Sequence, residues 1–219
     1  MFQAMGVHGP TLSPLASLFL DTFLLATAFW LLAKPTKRPV LDSLFLASLV
    51  LSVSLIRVVM QPLPNIQPVT VAALLVGAQL GARRGAAFAV LVAMISNFFM
   101  GHGWWTVFQA AGWASIAVFG SRLPLITVHG LHMRRAILAS VLGALWFDLV
   151  VSLSILDGTI GFGEFLIYLG HGLPFDLLHM AGNLVFVVWL GSWFAGLLEE
   201  KTTLDEVEFA AVNSHAIDG

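Results

Sequence analysis

Of 219 residues, 58% are hydrophobic and only 10% are charged, against roughly 45–50% and about 25% in soluble globular domains, which excludes an ordinary soluble fold. The net charge is −2 with ten Lys and Arg in total, too few cations to neutralise a run of phosphates, so nucleic acid is not expected as a partner. Cysteine is absent, which removes disulfides, thiolate metal sites and a cysteine nucleophile.

Long apolar runs bounded by charge or by Pro and Gly predict membrane spans at residues 11 to 33, 40 to 61, 66 to 82, 85 to 101, 105 to 121, 136 to 155 and 174 to 198. The first run carries Asp21, lacks a basic n-region and is followed by positive charge, so it reads as a retained span and not a signal peptide. The third and fourth are short and separated only by Gly81-Ala82-Arg83-Arg84-Gly85, which predicts a tight helical hairpin. The last is predicted to begin at Pro174-Phe175, since proline is favoured in the first turn of a helix. Residues 199 to 219 carry Glu199, Glu200, Asp205, Glu206, Glu208 and Asp218 and read as an acidic cytoplasmic tail.

If all seven runs cross, nine of the ten basic residues share one side: Lys34, Lys37, Arg38, Arg83, Arg84, Arg122, Arg134, Arg135 and Lys201. By the positive-inside rule that side is the cytoplasm, with the N-terminus outside and the C-terminus inside a multi-pass cell-membrane protein. The tenth, Arg57, falls near the outer end of the second span.

At about 1.5 Å of rise per residue, Asn97, Gln109, Trp113 and Asp148 are expected in the outer half of the bilayer, as is Arg57. Asp176, His179 and Asn183 stand at offsets of three and seven, which is one helix face. An ionisable side chain in hydrocarbon costs roughly 2.5–3.5 kcal/mol on insertion scales, so such groups face a partner or a water-filled cavity. The group therefore reads either as an outward-open pocket for a polar small molecule or as interhelical pairing, for example of Arg57 with Asp148 or Asp176. Trp30, Trp189 and Trp193 read as interfacial anchors; Trp104 and Trp105 read as anchors or as a stacking surface for a ligand ring. His102, His129 and His171 are assigned to loops. Ala73, Gly77, Gly81 and Gly85 recur every four residues and read as close helix packing inside the bundle or as a docking face.

The segments Leu63-Pro64-Asn65-Ile66-Gln67-Pro68-Val69-Thr70, Ser96-Asn97, Gly101-His102-Gly103-Trp104-Trp105-Thr106, Gln109-Ala110-Ala111-Gly112-Trp113 and Gly172 through Asn183 together resemble the substrate-binding S components of energy-coupling factor (ECF) transporters. The resemblance covers roughly residues 40 to 198. It implies an all-α polytopic bundle: a six-helix core at 40–198, preceded by an extra transmembrane helix and basic loop at 1–39 and followed by the 199–219 tail. It further implies capture of a vitamin or vitamin precursor from outside, and delivery through a membrane coupling subunit and two cytoplasmic ATPases, with no cofactor and no catalysis by this chain. The candidate substrate-binding set, taken from the polar residues at outer depth together with Trp105, is Arg57, Asn97, Trp105, Gln109, Trp113, Asp148, Asp176, His179 and Asn183. The family docks through Ala-x-x-x-Ala on its first helix; this chain offers Ser43 and Ala47 there, a departure from the pattern.

Two other classes compete. His179 and Asn183 loosely resemble the His and Asn helix of rhomboid proteases, but no Gly-x-Ser-Gly nucleophile follows. A haem or quinone protein would use His179, but bis-His ligation would need a loop histidine. No Gly-x-x-x-x-Gly-Lys-Ser/Thr loop occurs, so active uptake would need partner ATPases.

Overall fold

A computed structural model describes residues 5–6, 9–10, 12–34, 36, 38–156 and 158–201. Lys37 and the tail beyond Lys201, with Asp205, Glu206, Glu208 and Asp218, lie outside the described residues. The described residues form an all-α bundle of seven helices: α1 Pro14–Leu32, α2 Pro39–Val59, α3 Val69–Leu80, α4 Ala82–Met100, α5 Trp105–Gly120, α6 Met133–Ser152 and α7 Phe162–Phe186. Helix α7 runs on through a five-residue π-helical stretch, Val187–Gly191, and the continuous helical element ends at Lys201. A 3-10 turn, Leu153–Ile155, extends α6, and two small antiparallel hairpins, Met5–Gly6 with Gly9–Pro10 and Ile126–Thr127 with Gly130–Leu131, complete the described elements. Five of the helices are long and apolar enough to cross a membrane.

Helix α3 is not one of the five. Its 12 residues rise about 18 Å, well short of a hydrocarbon core about 30 Å thick. The reason it tolerates that length is burial: every residue from Val69 to Gly77 is buried, so α3 is matched to its helical neighbours and not to lipid. Its small residues allow this approach. A Cβ on Gly77 would stand 1.9 Å from the Ala117 carbonyl oxygen of α5, and one on Gly120 would stand 2.3 Å from the Leu74 carbonyl oxygen. A Cβ on Gly85 would meet Gly77 Cα at 2.7 Å. The glycine series thus packs the interior. The predicted hairpin forms at Gly81, whose φ of 83° suits glycine and closes α3 onto α4 with no intervening loop.

Helix α7 corrects the sequence reading most. It begins twelve residues before Pro174, at Phe162, where the Glu164 carboxylate accepts from the Gly161 N–H at 2.8 Å and caps the first turn. Pro174 therefore lies inside the helix, and His171 is helical, not in a loop. Forty continuous residues extend about 60 Å, twice the hydrocarbon thickness, so the element outruns a single crossing.

Polar contacts gather the helix ends. Arg83 donates to the Trp30 and Leu31 carbonyls of α1 at 2.7 and 3.1 Å, with its guanidinium 5.0 Å from the Trp30 ring centre. Asp42, in the first turn of α2, accepts from Arg84 at 3.4 Å and from Lys201 at 2.9 Å. One end of the bundle thus collects the end of α1, the start of α2, the α3–α4 turn and the end of the last helix; it is called here the Arg83 end. At the opposite, Trp104 end, α2 and α4 finish and α5 starts.

Candidate functional site

Arg57 occupies the last turn of α2 and is 3% exposed. Its Nε donates to Gln67 Oε1 at 2.8 Å, and Nη1 donates to Ser96 Oγ and to Asn97 Oδ1, the latter at 2.7 Å. Nη2 has a longer contact of 3.4 Å to Gln109 Oε1. The guanidinium carbon stands 4.9 Å over the Trp113 ring, a cation–π distance. Behind this hub the Asn97 amide donates to Thr106 Oγ1 at 2.8 Å and to Gln109 Oε1 at 2.7 Å. The pairing of Arg57 with Asp148 or Asp176, an example of the interhelical alternative to a pocket, does not occur: its hydrogen-bond partners are neutral side chains from α4, α5 and the segment before α3. That segment can reach inward because Pro64 and Pro68 keep it out of helix, and Asn65, at φ 58°, turns it and donates to the Phe175 carbonyl at 3.3 Å.

Trp113, buried at the centre, connects this hub to a second one. Its indole N–H donates to Thr70 Oγ1 at 3.1 Å, Thr70 Oγ1 lies 2.8 Å from His179 Nε2, and His179 Nδ1 lies 3.0 Å from an Asp148 oxygen. The chain is satisfied in one direction when Nδ1 carries the proton toward Asp148 and Thr70 donates to Nε2. Phe147 stacks on Trp113 at 4.3 Å and meets the His179 ring edge-on at 5.4 Å. Thr70, His179 and Asp148 have the order of a nucleophile, base and orienter. Thr70, however, is fully buried and its oxygen already accepts from Trp113, so the hydroxyl is placed to orient the indole and the imidazole.

The sequence-derived set is thereby divided. Arg57, Asn97, Gln109 and Trp113 meet in one hub, and Asp148 and His179 in the second. Asp176 is half-buried and shares with Asp148 a cavity of about 280 Å³ between α6 and α7, also lined by Ser152 and Gly170. Trp105 sits at the start of α5 with its ring over Gly103, at the edge of the first hub. Asn183 departs from the expected shared depth. Its amide donates to the Ser140 carbonyl at 3.0 Å, and Ser140 lies eight residues, about 12 Å, along α6 from Asp148 toward the Arg83 end. That contact ties α6 to α7. Ser43 and Ala47 are exposed on α2 at the Arg83 end and line a cavity of about 600 Å³ with Lys34, Asp42, Arg83 and Arg84. Trp30, Trp189 and Trp193 are all exposed, as membrane anchors require.

Gln67, Thr70, Ser96 and Thr106 were not among the candidates, although each stands in a segment the resemblance rests on. The signal available was a small or amide-bearing polar residue within a helical run of an otherwise apolar chain, where an unsatisfied hydroxyl or amide is costly and so implies a partner.

Residues 37–205 match the model of a family of unknown function, DUF6580. The chain belongs to that family. The DUF6580 match takes in α2 through the last helix, so both hubs lie within it and α1 lies outside. No curated protein and no solved structure matches the chain.

Proposed function

We propose that this DUF6580 protein is the membrane-embedded substrate-capture subunit of an ECF-type importer, binding a vitamin or vitamin precursor at the Trp104 end and depending on a coupling subunit and two ATPases at the Arg83 end. The observation that carries the reading is the convergence of Arg57, Gln67, Asn97, Gln109 and Trp113 from α2, α4, α5 and the segment before α3 on one buried point. Interhelical glue is ordinarily pairwise. A cluster of donors and acceptors around one aromatic face is the usual composition of a small-molecule site. One further feature supports it: the Ser43 and Ala47 face is open beside the basic rim.

In this reading the Trp104 end faces outside, the N-terminus is outside and the C-terminus is cytoplasmic. A cysteine at Thr36 is then shielded from a membrane-impermeant thiol reagent in intact cells, and one at Thr159 reacts; the reverse pattern overturns the orientation. Mass spectrometry of small molecules retained by the purified protein tests capture itself: the reading requires a compound enriched over a control membrane protein and depleted by Asn97→Ala.

A further inference from the structure

Arg57 is permanently charged and 3% exposed, yet among the described residues no carboxylate lies within ion-pair distance of it. Buried charges are normally paired with an opposite charge. The carboxylate of the neighbouring hub, Asp148, is engaged by His179 beyond the Trp113–Phe147 stack. A count of the guanidinium's five N–H donors shows where it is underserved. Nε is used by Gln67, and the two Nη1 protons by Ser96 and Asn97. The two Nη2 protons share one contact of 3.4 Å, to a Gln109 oxygen that already accepts from Asn97 at 2.7 Å.

The cluster is also two-sided. Ser96 and Asn97 are buried and hold the guanidinium from within, with buried Thr106 behind Asn97; Gln67 and Gln109 are only half-buried and cover it from without. Neutral amide oxygens thus stand where a charged acceptor would bind more strongly, since charge-assisted bonds are about twice as strong as neutral ones and guanidinium matches a two-oxygen acceptor in shape.

We propose that Arg57 is the recognition group for an anionic ligand, a carboxylate or phosphate ester, an oxygen of which takes the place of the Gln109 amide at Nη2 while Trp113 covers one face of the guanidinium. Ser96 and Asn97 fix the fork so that its free edge is aimed before the ligand arrives. This inference rests on the capture reading and names the class of its substrate.

The test uses the full chain in phosphatidylcholine nanodiscs as wild type, Arg57→Gln and Gln109→Glu. Small molecules are extracted from each and identified by mass spectrometry, and melting is followed against benzoate, phenyl phosphate and the uncharged control benzamide. The compound retained by the wild type is expected to bear a carboxylate or phosphate and to fall at least about tenfold in Arg57→Gln. Benzoate or phenyl phosphate is expected to raise the wild-type melting temperature where benzamide does not, and which of the two does so separates the carboxylate from the phosphate. Gln109→Glu covers the case in which Arg57→Gln does not fold. It supplies an internal counter-charge at Nη2, so it is expected to melt higher than the wild type while losing both the retained anion and the response to added anions. An anion retained equally by Gln109→Glu, or a wild-type melting temperature that neither benzoate nor phenyl phosphate raises above the benzamide control, overturns the inference. A retained neutral compound that Asn97→Ala depletes also overturns it and leaves the capture reading standing. No retained compound together with no anion response overturns both.

Discussion

Helices α1 and α3 are almost equally apolar, yet one lies on the outside of the bundle and the other at its centre. Over its spanning window α1 is 17% buried, with Phe19, Phe23, Phe29 and Trp30 exposed and only Leu20, Leu24 and Ala28 buried. Helix α3 exposes nothing from Val69 to Gly77 and carries no side chain larger than Leu or Gln. In lipid, apolarity does not select an interior, because the acyl chains are as apolar as leucine. Residue size selects it: small residues let backbones approach, and large aromatic ones fill space against lipid. The attachment differs as well. Helix α3 is held by backbone-to-backbone packing, whereas α1 is clipped by polar contacts at its last turn, Arg83 to the Trp30 and Leu31 carbonyls, and near its middle, His102 Nε2 at 2.9 Å from Asp21 Oδ1 at an angle outside hydrogen-bond geometry.

The sharpest test of this contrast is Gly77→Val. With the Ala117 carbonyl already 1.9 Å from the first added carbon, and backbone unable to yield as a flexible side chain does, the variant is expected to lose the folded monomer peak in detergent, a cost above about 3 kcal/mol. Phe19→Ala, on the exposed face of α1, is expected to change nothing measurable in the same assay. Comparable losses in both would break the comparison.

A large effect is also expected at the exposed face of α2. If the proposed importer reading holds, Ser43→Leu with Ala47→Leu should impair copurification with a coupling subunit while the melting temperature stays within error, because both residues line the open cavity at the Arg83 end. Retained complex formation would move docking to another face.

The two asparagines, assigned by sequence to one pocket, now separate. Asn97→Ala removes a direct partner of Arg57 and is expected to weaken ligand binding by about 1–3 kcal/mol, or roughly five- to 150-fold. Asn183→Ala removes the clasp on Ser140 and is expected to lower stability by about 1 kcal/mol with affinity unchanged. Calorimetric titration and thermal melting on the same preparations distinguish the two, and equal loss of affinity in both variants would return Asn183 to the site.

The smallest effect concerns α1. Arg83→Gln removes two bonds to carbonyls and a contact with Trp30, at an exposed position. It is expected to cost about 1 kcal/mol and to speed disulfide-trapped separation of α1 from α4 without altering ligand retention.

The seven helical segments among the described residues and the α3–α4 hairpin were legible because apolar run length and glycine spacing are local patterns; that α3 and α5 are not among the five helices long and apolar enough to cross a membrane was not. The start of α7 was not. Pro174 is the usual first-turn signal, and the competing signal, Glu164 capping Gly161, is a weak one until the turn it closes is known. Within the site, Arg57, Asn97, Gln109 and Trp113 could be found as polar or aromatic residues at matching depth. Depth says nothing of azimuth, so it could offer Asp148 as one possible partner of Arg57 but could not show that Asp148 meets His179 instead. Asn183 was misplaced for a related reason: its periodic spacing from His179 was read as shared function, while one helical turn was enough to carry it to a different neighbour.

The π-helical stretch Val187–Gly191 sets the angular phase of everything after it. One surplus residue in a turn rotates the following helix by about 100° relative to an unbroken α-helix, so the azimuth at which Lys201 meets Asp42 at 2.9 Å depends on that surplus, while His179 and Asn183, which precede it, do not. Excising a single residue between 187 and 191 would therefore act as a twist confined to the Arg83 end: the last helical turns would swing Lys201 away from α2, free the Asp42 carboxylate for Arg84 alone, and leave the hydrogen bonds around Trp113 in register.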